Sequence, residues 1–217
     1  MGAPPHPGFG DTGLIVAIVL AGGAGRRLGG VDKAGLVVGG RSLLDRVLSA
    51  AAGVAGRLVI VGPPRTVALE RAVIFVQEDL PGGGPVPAVL AGLDATGGAA
   101  VALVLAVDLP LLETADLSRL VGHLVVAGAG VGAVAAADPS GRPNPLLAAY
   151  RVESLRRAAA TLGTAGAGAA AAALLPPGVV VLDLGPEATL NVNTPADLEQ
   201  AAEVWARRVH GSSRGAC

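Results

Sequence analysis

The residues from Leu20 to Lys33 read LAGGAGRRLGGVDK. Gly22, Gly23, Gly25, Gly29 and Gly30 let the chain turn sharply and aim several peptide N–H groups into one concavity, which is a way of holding phosphate. Arg26 and Arg27 add a planar fork of donors. Lys33, the only lysine among 16 basic residues, adds a compact charge on a flexible stem that can follow a phosphate as it moves. Two familiar glycine motifs do not apply. The stretch lacks the GK[ST] ending of a Walker loop, and Gly23, Gly25 and Gly29 miss the dinucleotide spacing GxGxxG by one residue. The second apolar run ends in Gly62-Pro63-Pro64, where a nicotinamide site would want an acid. A tight turn with solvent-facing arginines is the competing reading of the loop.

Asp108 ends the apolar run AVALVLAVD. A carboxylate there lies at the carboxyl edge of a sheet, where it can hold Mg2+, an ion that takes one or two protein oxygens and keeps several waters. Its alternative is to cap the turn that follows. Asp79, after VIFVQ and before the LPGGGPVPA stretch, is a second acid of the same kind, with a solvated loop position as its alternative. Asn191 and Asn193 stand two apart in TLNVNTPADLE, so in an extended segment both amides point the same way and could orient a polar substrate. They could equally be turn residues. Asn144, in RPNPLLAAY, enters a strand where a second substrate could lie.

Elements must position these groups. Apolar runs at Leu14–Leu20, Arg57–Val61, Val73–Val76, Val101–Val107 and Val131–Ala136 have the length and Val/Ile content of buried strands. Ser42–Ala52, Val86–Ala95 and Thr114–Val126 have helical spacing; in the first, Leu43, Val47 and Leu48 share one face while Asp45, Arg46 and Ser49 point elsewhere. Strand and helix alternate, so the expectation is an α/β chain with a mainly parallel sheet and helices on both faces. After Asp138, PSGRPNP reads as a turn, Leu146–Tyr150 and Val179–Leu182 as strands, and the Ala165–Ala173 tract as a poorly packed helix. A last helix opens with Thr194 as N-cap and Pro195 at its first position. One domain is expected over 14–208, flanked by loose tails at 1–13 and 209–217.

Composition narrows the function. Hydrophobic residues make up 52% and aromatics 2%, so the core is Ala, Val and Leu with Phe75, Tyr150 and Trp205 as its rare large pieces. A net charge of -1 gives no bulk attraction to nucleic acid or to an acidic membrane, so any anion must be held locally. The longest uncharged run, Ala158–Leu182, is broken by Pro176-Pro177 and is otherwise mostly Ala and Gly, which argues against a membrane span. A single cysteine, Cys217, excludes a disulfide framework, and a cytoplasmic location is the expectation.

LAGGAGRRLGGVDK, QED before a Gly/Pro loop ending in LAGL, the strand ending VDLP, and LNVNTP together resemble the molybdenum cofactor guanylyltransferases of the nucleotidyltransferase superfamily. The likeness runs from about Ile15 to Trp205. It implies a Rossmann-like, three-layer nucleotidyltransferase fold and Mg2+-dependent transfer of GMP from GTP to the phosphate of a molybdenum-bound molybdopterin, with release of pyrophosphate. By the same likeness Leu20, Ala21, Gly22 and Gly23 hold the nucleotide, Lys33 matches the loop lysine, Asp79 the nucleotide-side acid and Asp108 the magnesium ligand. Arg27, Lys33 and Asp108 would then stabilise the transferring charge. Gly22-Gly23 is similar to the guanylyl branch, whereas the cytidylyl branch tends to show Leu-Ala-Ala-Gly. The departures are VGPP where an asparagine often stands, PVPAV before LAGL, and Asn144-Pro145 where His-Pro or Gln-Pro is common. They keep open a cytidylyl- or sugar-phosphate nucleotidyltransferase, or a nucleotide-binding sensor without turnover. A molybdoenzyme or a cofactor-insertion protein is a plausible recipient of the product.

Overall fold

The first strand, β1 (Ile15–Leu20), is buried along its whole length. Ile15, Ala17 and Val19 join one apolar cluster, and Val16, Ile18 and Leu20 join another. Successive side chains of a strand face opposite ways, so a strand with no polar position must be covered on both faces. The computed structural model, which describes residues 15–22, 30–79, 82–162 and 168–213, shows that cover. A small antiparallel hairpin, β2 (Val37–Val38) and β3 (Arg41–Ser42), stands apart. The strands β4 (Arg57–Val61), β5 (Ile74–Val76), β6 (Val101–Ala106), β7 (Ala133–Ala137), β8 (Pro143–Arg151) and β9 (Val180–Leu182) join β1 in a seven-stranded sheet of order β5-β4-β1-β6-β8-β7-β9. On one face lie α1 (Leu43–Ala52), α3 (Thr114–Val126) and α5 (Pro195–Ser213), and on the other α2 (Pro85–Asp94) and α4 (Val152–Leu162). The expected three-layer α/β architecture is the one observed.

Several details differ from the sequence expectation. β8 runs antiparallel to both of its neighbours, β6 and β7, while every other pairing in this sheet is parallel. The connection from β7 to β8 is a tight turn in which the Asp138 carboxylate accepts from the backbone N–H groups of Ser140 and Arg142. So short a link can join antiparallel strands only, because a parallel pair needs a crossover. The Ala165–Ala173 tract is not a helix where it is described: Gly168 is in a turn, and a 3-10 helix spans Ala171–Leu174. The methyl groups of the tract offer little to pack, and the one buried residue of the 3-10 helix is Leu174. The helical region lies earlier, in α4. At the other end α5 continues to Ser213, past the expected boundary at 208.

Arg46 carries the least expected packing. Expected to point away from the Leu43, Val47 and Leu48 face of α1, it is nevertheless only 7% exposed, its guanidinium lying 3.8 Å from the centre of the Trp205 ring and its Nε donating to the Val38 carbonyl oxygen at 2.7 Å. Burial, with Arg41 and Arg208 nearby, lowers its pKa from the usual arginine value. The Gly39-Gly40 turn of the hairpin makes room for this stack. Both glycines have positive φ (56° and 78°), as a two-residue turn requires, and a Cβ on Gly39 would sit 2.0 Å from Trp205 Nε1.

Candidate active site

The parallel strands β1, β4, β5 and β6 all end at one edge of the sheet, so the segments that leave them meet there. Such an edge is where open α/β sheets take ligands. Leu20 closes β1, and Ala21 N–H donates to the Val61 carbonyl at the end of β4 (2.9 Å). Gly62 packs so closely that a Cβ on it would lie 3.0 Å from Gly22 N, with φ at 149°. Only a residue without a side chain lets the two outgoing segments run side by side. Gly22 itself is exposed at this edge.

Lys33 opens a 3-10 turn, Lys33–Gly35, whose N-cap is Asp32; the Asp32 carboxylate accepts from Ala34 N at 3.2 Å. Its ammonium donates to Asp108 Oδ2 at 2.9 Å and to Asn193 Oδ1 at 2.7 Å. Residues 75 and 160 positions apart in the chain thus meet on one nitrogen. The side chains of Lys33 and Asp108 are 20% and 19% exposed, sheltered enough for the pair to hold and open enough for a ligand to reach it.

The sheet and α5 explain why Asp108 and Asn193 are neighbours. Asp108 follows β6, and its carbonyl accepts from Val192 N at 2.9 Å. Val192 is fully buried, so the segment carrying both asparagines is pinned beside the acid. At the start of α5, Asp197 accepts from the backbone N–H groups of Asn193 (2.8 Å) and Thr194 (2.7 Å), and Asp197 N donates to Thr194 Oγ1 at 3.2 Å. Thr194 is therefore the N-cap expected, and Asp197 completes a capping box. The N–H of Asn193 first, then Thr194 and the charge of Lys33, hold the Asp197 carboxyl below its ordinary pKa against the opposing effect of burial. The T-x-x-D spacing in the sequence is the signal that could have singled out Asp197 as the residue that orients Asn193.

The other candidates are placed less tightly. Asp79 follows β5 by three residues, is exposed, and makes no hydrogen bond or ion pair with the described residues. Asn144 lies in β8 beyond the last pair with β6, and its Oδ1 accepts from Leu146 N at 3.0 Å, so its acceptor serves its own turn. Asn191 is half-buried and has no hydrogen-bond partner among the described residues. Gly23 and Arg27, with Arg26, lie outside the described residues.

No group of three or more His, Cys, Asp or Glu side chains able to hold a metal occurs among the described residues. That does not conflict with Mg2+ in a site of this kind, which draws on one or two carboxylates together with substrate oxygens and water. Asp108 is a hard oxygen donor at the strand end, and its Oδ1 has no partner among the described residues, so the donor set fits the ion.

A model of the MobA-like NTP transferase domain matches residues 17–177. The chain belongs to this family. Among curated relatives, the molybdenum cofactor guanylyltransferase of Acidiphilium cryptum is 35% identical over 85% of this chain and 92% of its own length. That of Sinorhizobium fredii is 32% identical over 94% and 97%. The molybdopterin-guanine dinucleotide biosynthesis protein A of Archaeoglobus fulgidus shares the fold, with a TM-score of 0.67 at 23% identity over 88% of this chain and 99% of that one. This member of the MobA-like family is thus a nucleotidyltransferase of molybdenum cofactor biosynthesis. No helix among its described residues is long and apolar enough to cross a membrane.

Proposed function

We propose that the enzyme transfers GMP from GTP to the terminal phosphate of a molybdenum-bound molybdopterin, with Mg2+ as cofactor. An oxygen of the acceptor phosphate forms a bond to the α-phosphorus of GTP, the bond from that phosphorus to the bridging oxygen breaks, and pyrophosphate leaves with the bond electrons. Such a transfer asks the protein for alignment and charge stabilisation more than for covalent chemistry. The observation that carries the reading is the junction of Lys33 with Asp108 and Asn193 at the strand-end edge.

An ammonium has three N–H donors. Two are directed to Asp108 and Asn193, which leaves one for a phosphate oxygen and orients the nitrogen before the substrate arrives. Leu20, Ala21, Gly22, Gly23 and Arg27 would supply the rest of the nucleotide loop, and Asp79 the nucleotide-side acid. Asn191 and Asn144 would face the acceptor. Asp108 would hold Mg2+, which when bound neutralises charge on the triphosphate. The names of the curated relatives support guanine as the base and molybdopterin as the acceptor.

Pyrophosphate release from each of the four nucleoside triphosphates, with and without metal-loaded molybdopterin, tests this. Release should require GTP and the pterin together, and chelation of divalent metal by EDTA should abolish it until Mg2+ is restored. Faster release with CTP would overturn the base assignment, and GTP binding without release would overturn the reaction.

A further inference from the structure

We infer that Asp32 and Arg65 form a positioning pair, which acts on turnover by holding the backbone turn from which Lys33 extends. The inference rests on the reading of the Lys33 junction as part of the active site. It also gives a role to the Gly62-Pro63-Pro64 stretch, which the proposed reaction leaves unused.

The turn that carries Lys33 is short and needs support. It is closed by Gly35 N–H donating to the Asp32 carbonyl at 3.2 Å and by Leu36 N–H donating to the Lys33 carbonyl at 3.1 Å. Hydrogen bonds of the 3-10 type have poor geometry, so a turn of three residues is weak unless its ends are held. The far end is secured: Ala34 is buried, and Leu43 N–H at the start of α1 donates to the Leu36 carbonyl at 2.8 Å. The near end depends on Asp32. Its Oδ1 accepts from Ala34 N at 3.2 Å and its Oδ2 accepts from Arg65 Nη1 at 2.5 Å, so one carboxylate caps the turn and ties it to another segment. Among the described residues, the bond to Arg65 is the only one that joins residues 30–32 to a segment outside the turn.

Arg65 can serve as the anchor because its own segment is fixed. Two prolines precede it, each with φ locked by its ring. Before them Gly62 N–H donates to the Val76 carbonyl at 2.9 Å, and after it Ala68 N–H donates to the Asp45 carboxylate of α1 at 2.8 Å. The Arg65 side chain is 20% exposed against 57% for Asp32, so the sheltered partner holds the exposed one. Lys33 follows Asp32 directly, and its ammonium is poised on Asp108 and Asn193. Releasing Asp32 loosens the backbone at Lys33 and spreads its ammonium over positions that align the substrate less well, which costs rate.

Steady-state pyrophosphate release with GTP, Mg2+ and metal-loaded molybdopterin tests this in the full chain and five variants: Asp32→Asn, Arg65→Ala, Arg65→Lys, Asp32→Asn/Arg65→Ala and Lys33→Ala/Arg65→Ala. Asp32→Asn keeps an oxygen for Ala34 N and loses the ion pair. Asp32→Asn and Arg65→Ala should each lower kcat roughly two- to fivefold, the range one part-exposed ion pair supplies, with the KM for GTP nearly unchanged. Their double variant should be no slower than either alone, because both remove the same contact. Arg65→Lys keeps the charge and should retain most of the turnover, and with Asp32→Asn it serves if the alanine variant fails to fold. On the Lys33→Ala background, Arg65→Ala should cost nothing further, an outcome that a role in stability alone does not produce. Wild-type kcat in Arg65→Ala would overturn the inference. So would a loss confined to KM, or a loss that persists undiminished without Lys33, since Arg65 would then act by another route. Normal turnover of Lys33→Ala alone would sink the site reading and this inference with it, whereas a crippled Lys33→Ala beside a normal Arg65→Ala removes only the positioning pair.

Discussion

Two clusters of cations behave differently. At the strand-end edge, Lys33 and Arg65 keep donors that no described residue satisfies. Between α1 and α5, around a cleft of about 350 Å³, Arg41, Arg46 and Arg208 turn theirs on the protein. Arg46 donates to the Val38 carbonyl and stacks on Trp205, Arg41 donates to the Asp45 carbonyl, and Arg208 donates to the Leu111 carbonyl and pairs with Glu113 and Glu187. Positive charge is therefore no guide to a ligand site by itself. What distinguishes the two regions is whether main-chain carbonyls and carboxylates have already taken the donors. Packing cations should matter for stability and site cations for turnover.

Lys33→Ala is the severest test of that division. Removing one preorganised electrostatic partner typically costs about 10²–10³ in rate, so turnover should fall by that factor while the melting temperature stays near that of the wild type. Normal turnover would put Lys33 in the packing class. Arg46→Ala should do the reverse, destabilising the protein by about 2–3 kcal/mol in urea unfolding through lost packing on Trp205 and the lost hydrogen bond to the Val38 carbonyl, with kcat nearly unchanged. A collapse of kcat at unchanged stability would erase the distinction.

Asp197→Asn sits between the two classes, because Asp197 caps α5 and orients Asn193. A stability loss of about 1 kcal/mol at neutral pH is expected, in the range of lost caps, with a smaller fall in turnover than for Lys33→Ala. The folded-state pKa of Asp197 is depressed, so its contribution is fully present above the ordinary carboxylate range and is lost as pH falls through the folded value. Unfolding curves of wild type and variant should accordingly converge at acid pH. A gap that persists there would show that the charge of Asp197 is not what holds the turn. The smallest effect belongs to the exposed Glu153–Arg157 pair on α4, where Arg157→Ala should change stability by no more than about 0.5 kcal/mol. A larger change would mean that exposed pairs carry more of this fold than the packed arginine cluster suggests.

Much of this was legible beforehand. The apolar runs marked the main strands because strand burial leaves a local signature, and Thr194-Pro195 marked the start of α5 because caps are local as well. The burial of Arg46 escaped because a helix face says nothing about what lies opposite, and Trp205 arrives from the far end of the chain. The hairpin at Gly39-Gly40 and the reversal of β8 escaped because both depend on turn geometry that short apolar runs do not reveal.

The sequence by itself determined the layered α/β architecture and the residue types at the nucleotide edge, since alternation and loop composition are written in consecutive residues. Only the tertiary structure decided which of those residues meet. Lys33, Asp108 and Asn193 converge because parallel strands end together and Val192 ties its segment to Asp108, contacts that no local pattern encodes. Hydrogen bonding by the surrounding carbonyls and carboxylates, which separates a spent guanidinium from an unspent one, exists only once the chain has folded.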